Sequence, residues 1–178
     1  MNPRPLLKVS LLLGVLVVAA TGIAGRSEPP NTVLFLCPYG GAKSVIAASS
    51  FNRLASERGL PLTGVAAATE EPYESVPPSV AAVLAQEGID VSKFRPRRVT
   101  KEDLSRALRV VAIDCDLSKT DTGSLLIERW DGVPKVSENL PGATRAIRRH
   151  VEKLVREMIQ PQPSFNAWAE DVRICIPP

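Results

Sequence analysis

The feature that most constrains this chain is a wholly apolar run, Val33-Leu-Phe-Leu36, that ends on Cys37 and is followed by Pro38-Tyr39-Gly40-Gly41-Ala42-Lys43-Ser44. A short apolar run closed by a glycine-bearing loop reads as a buried strand. The residues after the loop have helical spacing: Val45, Ala48, Phe51, Leu54 and Ala55 share one face, and Gly59 ends the pattern. The predicted unit is therefore strand, loop, helix over Thr32–Leu36 and Ser44–Arg58. It places a thiol at the floor of a loop that opens a helix. Backbone N–H groups at such a helix start suit an oxyanion, and the same surroundings lower a cysteine's pKa and make it a nucleophile.

The rest of the chain repeats the alternation. Leu62–Ala68 reads as a second strand and Pro78–Glu87 as a short helix closed by Gly88. Thr100-Lys-Glu-Asp103 resembles a capping box and starts a helix through Ala107. Arg109–Ile113 is a third strand; residues 118–130 are irregular, with strand character at Leu125–Ile127. Gly142–Ile159 is the longest helix, with Ile147, Val151, Leu154 and Val155 as its apolar stripe. Strands alternating with helices imply an α/β domain with a parallel sheet covered on both sides. Ligands of such sheets bind beyond the carboxyl ends of strands, where Cys37 falls.

Outside this unit, Arg4 and Lys8 precede a nearly uncharged stretch from Val9 to Gly25. The pattern is that of a signal peptide, with a cleavage site after Ala24, or of an N-terminal membrane anchor. Either reading puts the rest of the chain on the periplasmic or extracellular side. The expected organisation is 1–25 signal or anchor, 26–31 linker, 32–159 globular domain and 160–178 a proline-containing tail. The membrane is expected as a partner only through the N-terminal segment.

Net charge is +3 over 178 residues, too small to argue for nucleic acid as a partner. The basic clusters Arg95, Arg97, Arg98, Lys101 and Arg145, Arg148, Arg149 read as solvated faces. Three cysteines and one histidine, far apart, exclude a zinc-type site, and neither metal nor other cofactor is expected.

The loop is a chemical device in its own right. A cysteine alone reads as a buried structural thiol. Here two glycines let amides turn inward, Lys43 brings positive charge, and Ser44 can hydrogen-bond the thiolate and begin the helix. A cysteine, two glycines, a cation and a hydroxyl within eight residues, between strand and helix, point to a site.

The spacing Cys37-x5-Lys43-Ser44 resembles the Cys-x5-Arg-Ser/Thr signature of low-molecular-weight protein tyrosine phosphatases, whose fold the thioredoxin-coupled arsenate reductases share. Asp90–Leu104 is similar to the family's stretch before its central strand, and Arg109–Cys115 to that strand and its end. The resemblance covers Thr32 to Ile159. It implies a single three-layer domain with a four-stranded parallel sheet flanked by helices. It also implies cysteine-dependent hydrolysis of a phosphomonoester through a phosphocysteine intermediate. Cys37 is then the nucleophile, and Pro38, Tyr39, Gly40, Gly41, Ala42, Lys43 and Ser44 are the cradle for phosphate or for a phosphorylated small molecule or protein.

Three departures stand out. Lys43 replaces arginine, keeping the charge and losing the planar fork that binds phosphate bidentately. Gly40 replaces an asparagine that adopts a left-handed backbone, a conformation glycine reaches without strain. The family's Asp-Pro pair, which protonates the leaving group, does not occur after the third strand. The segment Trp130-Asp131-Gly-Val-Pro134 lies where that pair should be, so Asp131 is the candidate general acid; Asp114, Asp116 and Asp121 are weaker ones. Two other readings follow. One is an oxyanion-binding module that has lost turnover. The other is an arsenate-reductase-like redox protein using Cys37 and Cys115, in which a disulfide between those two would silence the nucleophile.

Overall fold

The computed structural model describes residues 30–159. The apolar N-terminal segment, most of the linker, the C-terminal tail and Cys175 lie outside the described residues. Strand β1, Thr32–Cys37, is buried along its whole length, as a continuous apolar run requires when both faces of a sheet are covered. It is the hub of a four-stranded parallel sheet in the order β2-β1-β3-β4, where β2 is Thr63–Ala68, β3 is Ala107–Ile113 and β4 is Ile127–Trp130. The expected α/β class and sheet are both present.

Side-chain alternation along β1 divides the core. Val33, Phe35 and Cys37 face helices α1 (Lys43–Glu57), α2 (Pro78–Ala85) and α4 (Val136–Ile159). Leu34 and Leu36 face a smaller core with Val110, Ala112 and Cys115, closed by Val99, Leu104, Leu117 and Leu125. The predicted stripe of α4 is fully buried, and Phe51 of α1 packs its ring against Phe35 at 5.6 Å.

Four boundaries differ from the sequence expectation. The capping box at Thr100 is present, but its helix α3 is only Lys101–Ser105, and Ala107 opens β3 instead of ending the helix. Pairing with Thr32 of β1 outweighs continuation of an exposed turn. The fourth strand lies two residues later than expected because Trp130 anchors it. The indole is buried, donates to Glu128 Oε1 across 2.7 Å and stacks on His150. The long helix begins earlier, at Val136, but is interrupted at Asn139 (φ −149°, ψ 71°). There Asn139 Oδ1 accepts from the Gly142 N–H and caps the main helix afresh, with Leu140 and Pro141 as its first residues. Finally, α1 begins at Lys43 with Ala42 in the capping position, not at Ser44.

In an order of 2-1-3-4 the connections leave β1 and β3 in opposite directions, so the carboxyl ends of these two strands bound a crevice. Cys37 ends β1 and Asp114 follows the last residue of β3.

Candidate active site

The loop after β1 turns its carbonyls outward. Cys37 O, Pro38 O and Tyr39 O accept from the N–H groups of Thr69, Glu70 and Tyr73 at 3.2, 2.9 and 3.1 Å. Among the described residues no protein acceptor pairs with the N–H groups of Tyr39, Gly40, Gly41 or Ala42. The alanine at the cap of α1 has no side-chain oxygen to cap with, so the helix's first amides also keep their donor capacity. Uncommitted donors at a helix start are the groups an anion-binding loop would use.

Gly40 is required for this shape. Its φ is +64°, and a Cβ there would stand 2.8 Å from Ala68 N. Both the left-handed backbone and the contact with β2 exclude a side chain. A Cβ at Gly41 would stand 2.9 Å from the Tyr73 ring.

Cys37 is buried at the floor of the loop, with Sγ 3.1 Å from Ser44 Oγ. Ser44 is itself fully buried. In the thiol state the S–H donates to the hydroxyl; a thiolate would instead accept from it. The expected pairing of Ser44 with Cys37 is thus present, while its capping role falls away because the hydroxyl points at sulfur.

Lys43 is placed differently from a free cation in the cradle. Its Nζ donates to Asp114 Oδ2 across 2.7 Å and to Val133 O across 2.9 Å. Asp114 Oδ1 in turn accepts from the Gly132 N–H at 2.7 Å. Asp114 is the single non-glycine residue with positive φ (45°) among the described residues. Backbone strain of this kind persists only where neighbours hold it. Here one carboxylate ties the start of α1, the end of β3 and the segment after β4 together.

Above Cys37 lies a cavity of about 600 Å³. One wall is the stacked pair Tyr39 and Tyr73, centroids 4.9 Å apart; Lys43 and Asp114 lie deeper, and Lys135 to Ser137 form the far rim. Asp131 is not among the lining residues. Its side chain is 63% exposed and pairs with Arg129 at 3.4 Å. Asp116 accepts from the N–H and hydroxyl of Ser118, which hold its carboxyl below the usual range, and Asp121 is exposed; neither lines the cavity. The sequence pattern made Asp114 one of the weaker candidates for the general acid and did not single out Tyr73 or Lys135. Asp114 could have been found from its place one residue past a central strand's end.

Cys115 stands beyond the end of β3, and both it and Cys37 are free, buried thiols. They belong to cores on opposite faces of the sheet. Cys115 donates to Leu36 O, and burial, then the neighbouring Cys37, push its pKa up to about 11. Among the described residues no group of histidine, cysteine or acidic side chains is arranged to hold a metal ion.

The sequence profile described as low molecular weight phosphotyrosine protein phosphatase matches residues 32–126, over half of the chain. The chain belongs to that family. No curated protein matches it. Among solved structures, the low molecular weight protein tyrosine phosphatase of Streptococcus pyogenes superposes with a TM-score of 0.62 at 14% identity, covering 73% of this chain and 94% of that one. The YwlE arginine phosphatase of Geobacillus stearothermophilus gives 0.60 at 18% identity, over 72% and 93%. The thioredoxin-dependent arsenate reductase of Corynebacterium glutamicum gives 0.60 at 20% identity over 74% of this chain, but only 63% of its own length is spanned. At these identities the likeness is one of fold. This family member thus keeps the family's strand–loop–helix and its cysteine, with lysine for arginine and a rim without the Asp-Pro pair.

Proposed function

We propose that this family member is a cysteine-dependent phosphomonoesterase that binds the phosphoryl group of its substrate in the loop Cys37–Ser44. The observation that carries the reading is Cys37 Sγ, 3.1 Å from Ser44 Oγ, beneath a loop whose amides have no protein acceptor among the described residues. In the first step the Cys37 thiolate forms an S–P bond while the P–O bond to the leaving group breaks, its electron pair departing on that oxygen. The amides of residues 39–44 stabilise the charge that builds on the equatorial oxygens, and Ser44 donates to the sulfur when it leaves again. Water then releases phosphate from the phosphocysteine. Lys43, held by Asp114, presents charge without a fork, so the catalytic step suffers more than phosphate binding.

A second reading is an oxyanion-binding module without turnover. It is favoured by the engagement of Lys43 with Asp114 and Val133, which spends its charge inside the protein. Assay of the purified chain with p-nitrophenyl phosphate separates the two. Turnover that vanishes in Cys37→Ser supports the esterase; no turnover together with saturable phosphate binding supports the module. The arsenate-reductase-like reading needs Cys115 as a ready thiol, and a thiol held at about 11 on the other face of the sheet does not favour it. A thiol count on protein isolated without reductant tests that reading.

We also infer, from Arg4 and Lys8 ahead of the apolar stretch, that the domain is exported or anchored outside the cytoplasmic membrane. Cell fractionation with an N-terminal mass measurement tests this. A cytoplasmic protein with an intact N-terminus would overturn it.

A further inference from the structure

A phosphomonoesterase must deal with its leaving group as well as with phosphate, and the cavity over Cys37 is unusually furnished for that task. Among the described residues one carboxylate lines it, Asp114, and both its oxygens are acceptors already, from the Lys43 ammonium and from the Gly132 N–H, each at 2.7 Å. Using Asp114 as a proton donor would release Lys43 and unfasten the segment after β4. Lys135 also lines the cavity; it is carried on the turn into α4, exposed, and paired with Glu138 at 3.0 Å. An ammonium, with an ordinary pKa of about 10.4, is a poor proton donor beside a carboxylic acid. Its charge, however, stabilises an anion that leaves.

We propose that the site selects phosphate derivatives whose leaving group departs as a stable oxyanion without taking up a proton, acyl phosphates foremost, with aryl phosphates of acidic phenols as surrogates. The inference rests on the esterase reading, whose Cys37 chemistry it keeps, and turns the preferred substrate from a phosphate ester toward the mixed anhydride of a carboxylic acid. A tyrosine phenol, ordinary pKa about 10, needs protonation to leave readily; a carboxylate, whose acid has a pKa near 4, does not. General acid catalysis is worth roughly 10²–10⁴-fold, and a substrate with a good leaving group does without it.

The step balances without a co-reactant other than water. The Cys37 thiolate forms an S–P bond while the P–O bond to the acyl group breaks, its electron pair leaving on the carboxylate. A water oxygen then forms a new P–O bond, the S–P bond breaks with its pair returning to sulfur, and the water's proton passes to a phosphate oxygen. Nothing is oxidised or reduced, and the products are carboxylate and inorganic phosphate.

The experiment measures kcat/KM for acetyl phosphate, p-nitrophenyl phosphate and phenyl phosphate with the wild-type chain, Cys37→Ser and Lys135→Asp. The expected result is Cys37-dependent turnover of the first two, with phenyl phosphate at least about a hundredfold slower. Lys135→Asp should raise the phenyl phosphate rate about tenfold or more and add a descending alkaline limb to its pH profile. Lys135 has a side chain 74% exposed, so the variant is expected to fold; its melting temperature serves as the control. Phenyl and p-nitrophenyl phosphates turned over within about threefold of one another by the wild type, through Cys37, would overturn the substrate class while leaving the esterase standing, because an acting general acid flattens that difference. Absence of Cys37-dependent turnover of all three would instead remove the esterase reading, and this inference with it.

Discussion

Two segments face each other across the cavity, and they have fared differently. The loop after β1 holds what the proposed binding and attack on phosphorus would use: the buried thiol, the hydroxyl beside it, a left-handed Gly40 and amides that have no protein acceptor among the described residues. The segment after β4 keeps its backbone role. Gly132 and Val133 are stitched to Asp114 and Lys43, and Trp130 anchors its root. Its chemistry is another matter, since the rim residue is Lys135 and Asp131 points to Arg129 and solvent. The difference teaches that a cradle and a proton donor are separable parts. The cradle is made of backbone, which the fold holds in place. The proton donor is one side chain, which a single substitution removes without disturbing any packing.

The largest effect should come from the thiol. Cys37→Ser is expected to bring turnover of p-nitrophenyl phosphate to background while phosphate binding, measured by calorimetry, stays within about threefold, because the amides are untouched. Loss of binding as well would mean that sulfur shapes the cradle. Next is Gly40→Ala. A left-handed, over-close Cβ should cost about 1–3 kcal/mol in denaturant unfolding and abolish phosphate binding. Asp114→Asn comes third. It leaves Lys43, whose side chain is 14% exposed, without its charge partner, and should cost roughly 1–3 kcal/mol and weaken both segments together. A variant as stable as the wild type would show that the two sides are not fastened through this carboxylate.

Acid should reveal the anchor of the second segment. Burial holds the pKa of His150, stacked on Trp130, below its ordinary 6.5, opposed by Glu128. The unfolded chain therefore takes up this proton first as pH falls. The stability this group contributes is complete above pH 6.5 and is lost as pH drops through the lower folded value. His150→Gln should shallow that slope in melting temperature between neutral and mildly acid pH. An unchanged slope would place the acid sensitivity elsewhere. The smallest effect is expected from Asp131→Asn, which should leave kcat within about twofold, since an exposed carboxylate on a surface pair contributes little. A loss near a hundredfold would make Asp131 the general acid and erase the contrast between the two segments.

Much of the cradle was legible because its determinants are local. The apolar run of β1, the glycines and the periodicity of α1 lie within one stretch of chain, and each constrains backbone directly. The apolar stripe of α4 was equally legible from period alone. Boundaries failed where a distant partner decided them. Ala107 joined β3 through pairing with Thr32, and β4 was set by what Trp130 packs on, Phe35 and His150. The partners of Asp114 were not legible for the same reason, since they lie 71 and 18 residues away in sequence.

By itself, the sequence determined that a thiol would stand at the floor of an amide-lined loop between a buried strand and a helix, because φ/ψ freedom, hydrophobic period and helix-start chemistry act over a few neighbouring residues. Where the charges near that thiol go was settled by contacts between remote segments. Lys43 turns to Asp114 and Val133, Asp131 turns to solvent, and Lys135 comes to the rim. A long side chain chooses among partners that the folding of remote strands brings within 3 Å or so of it, and nothing local encodes that choice.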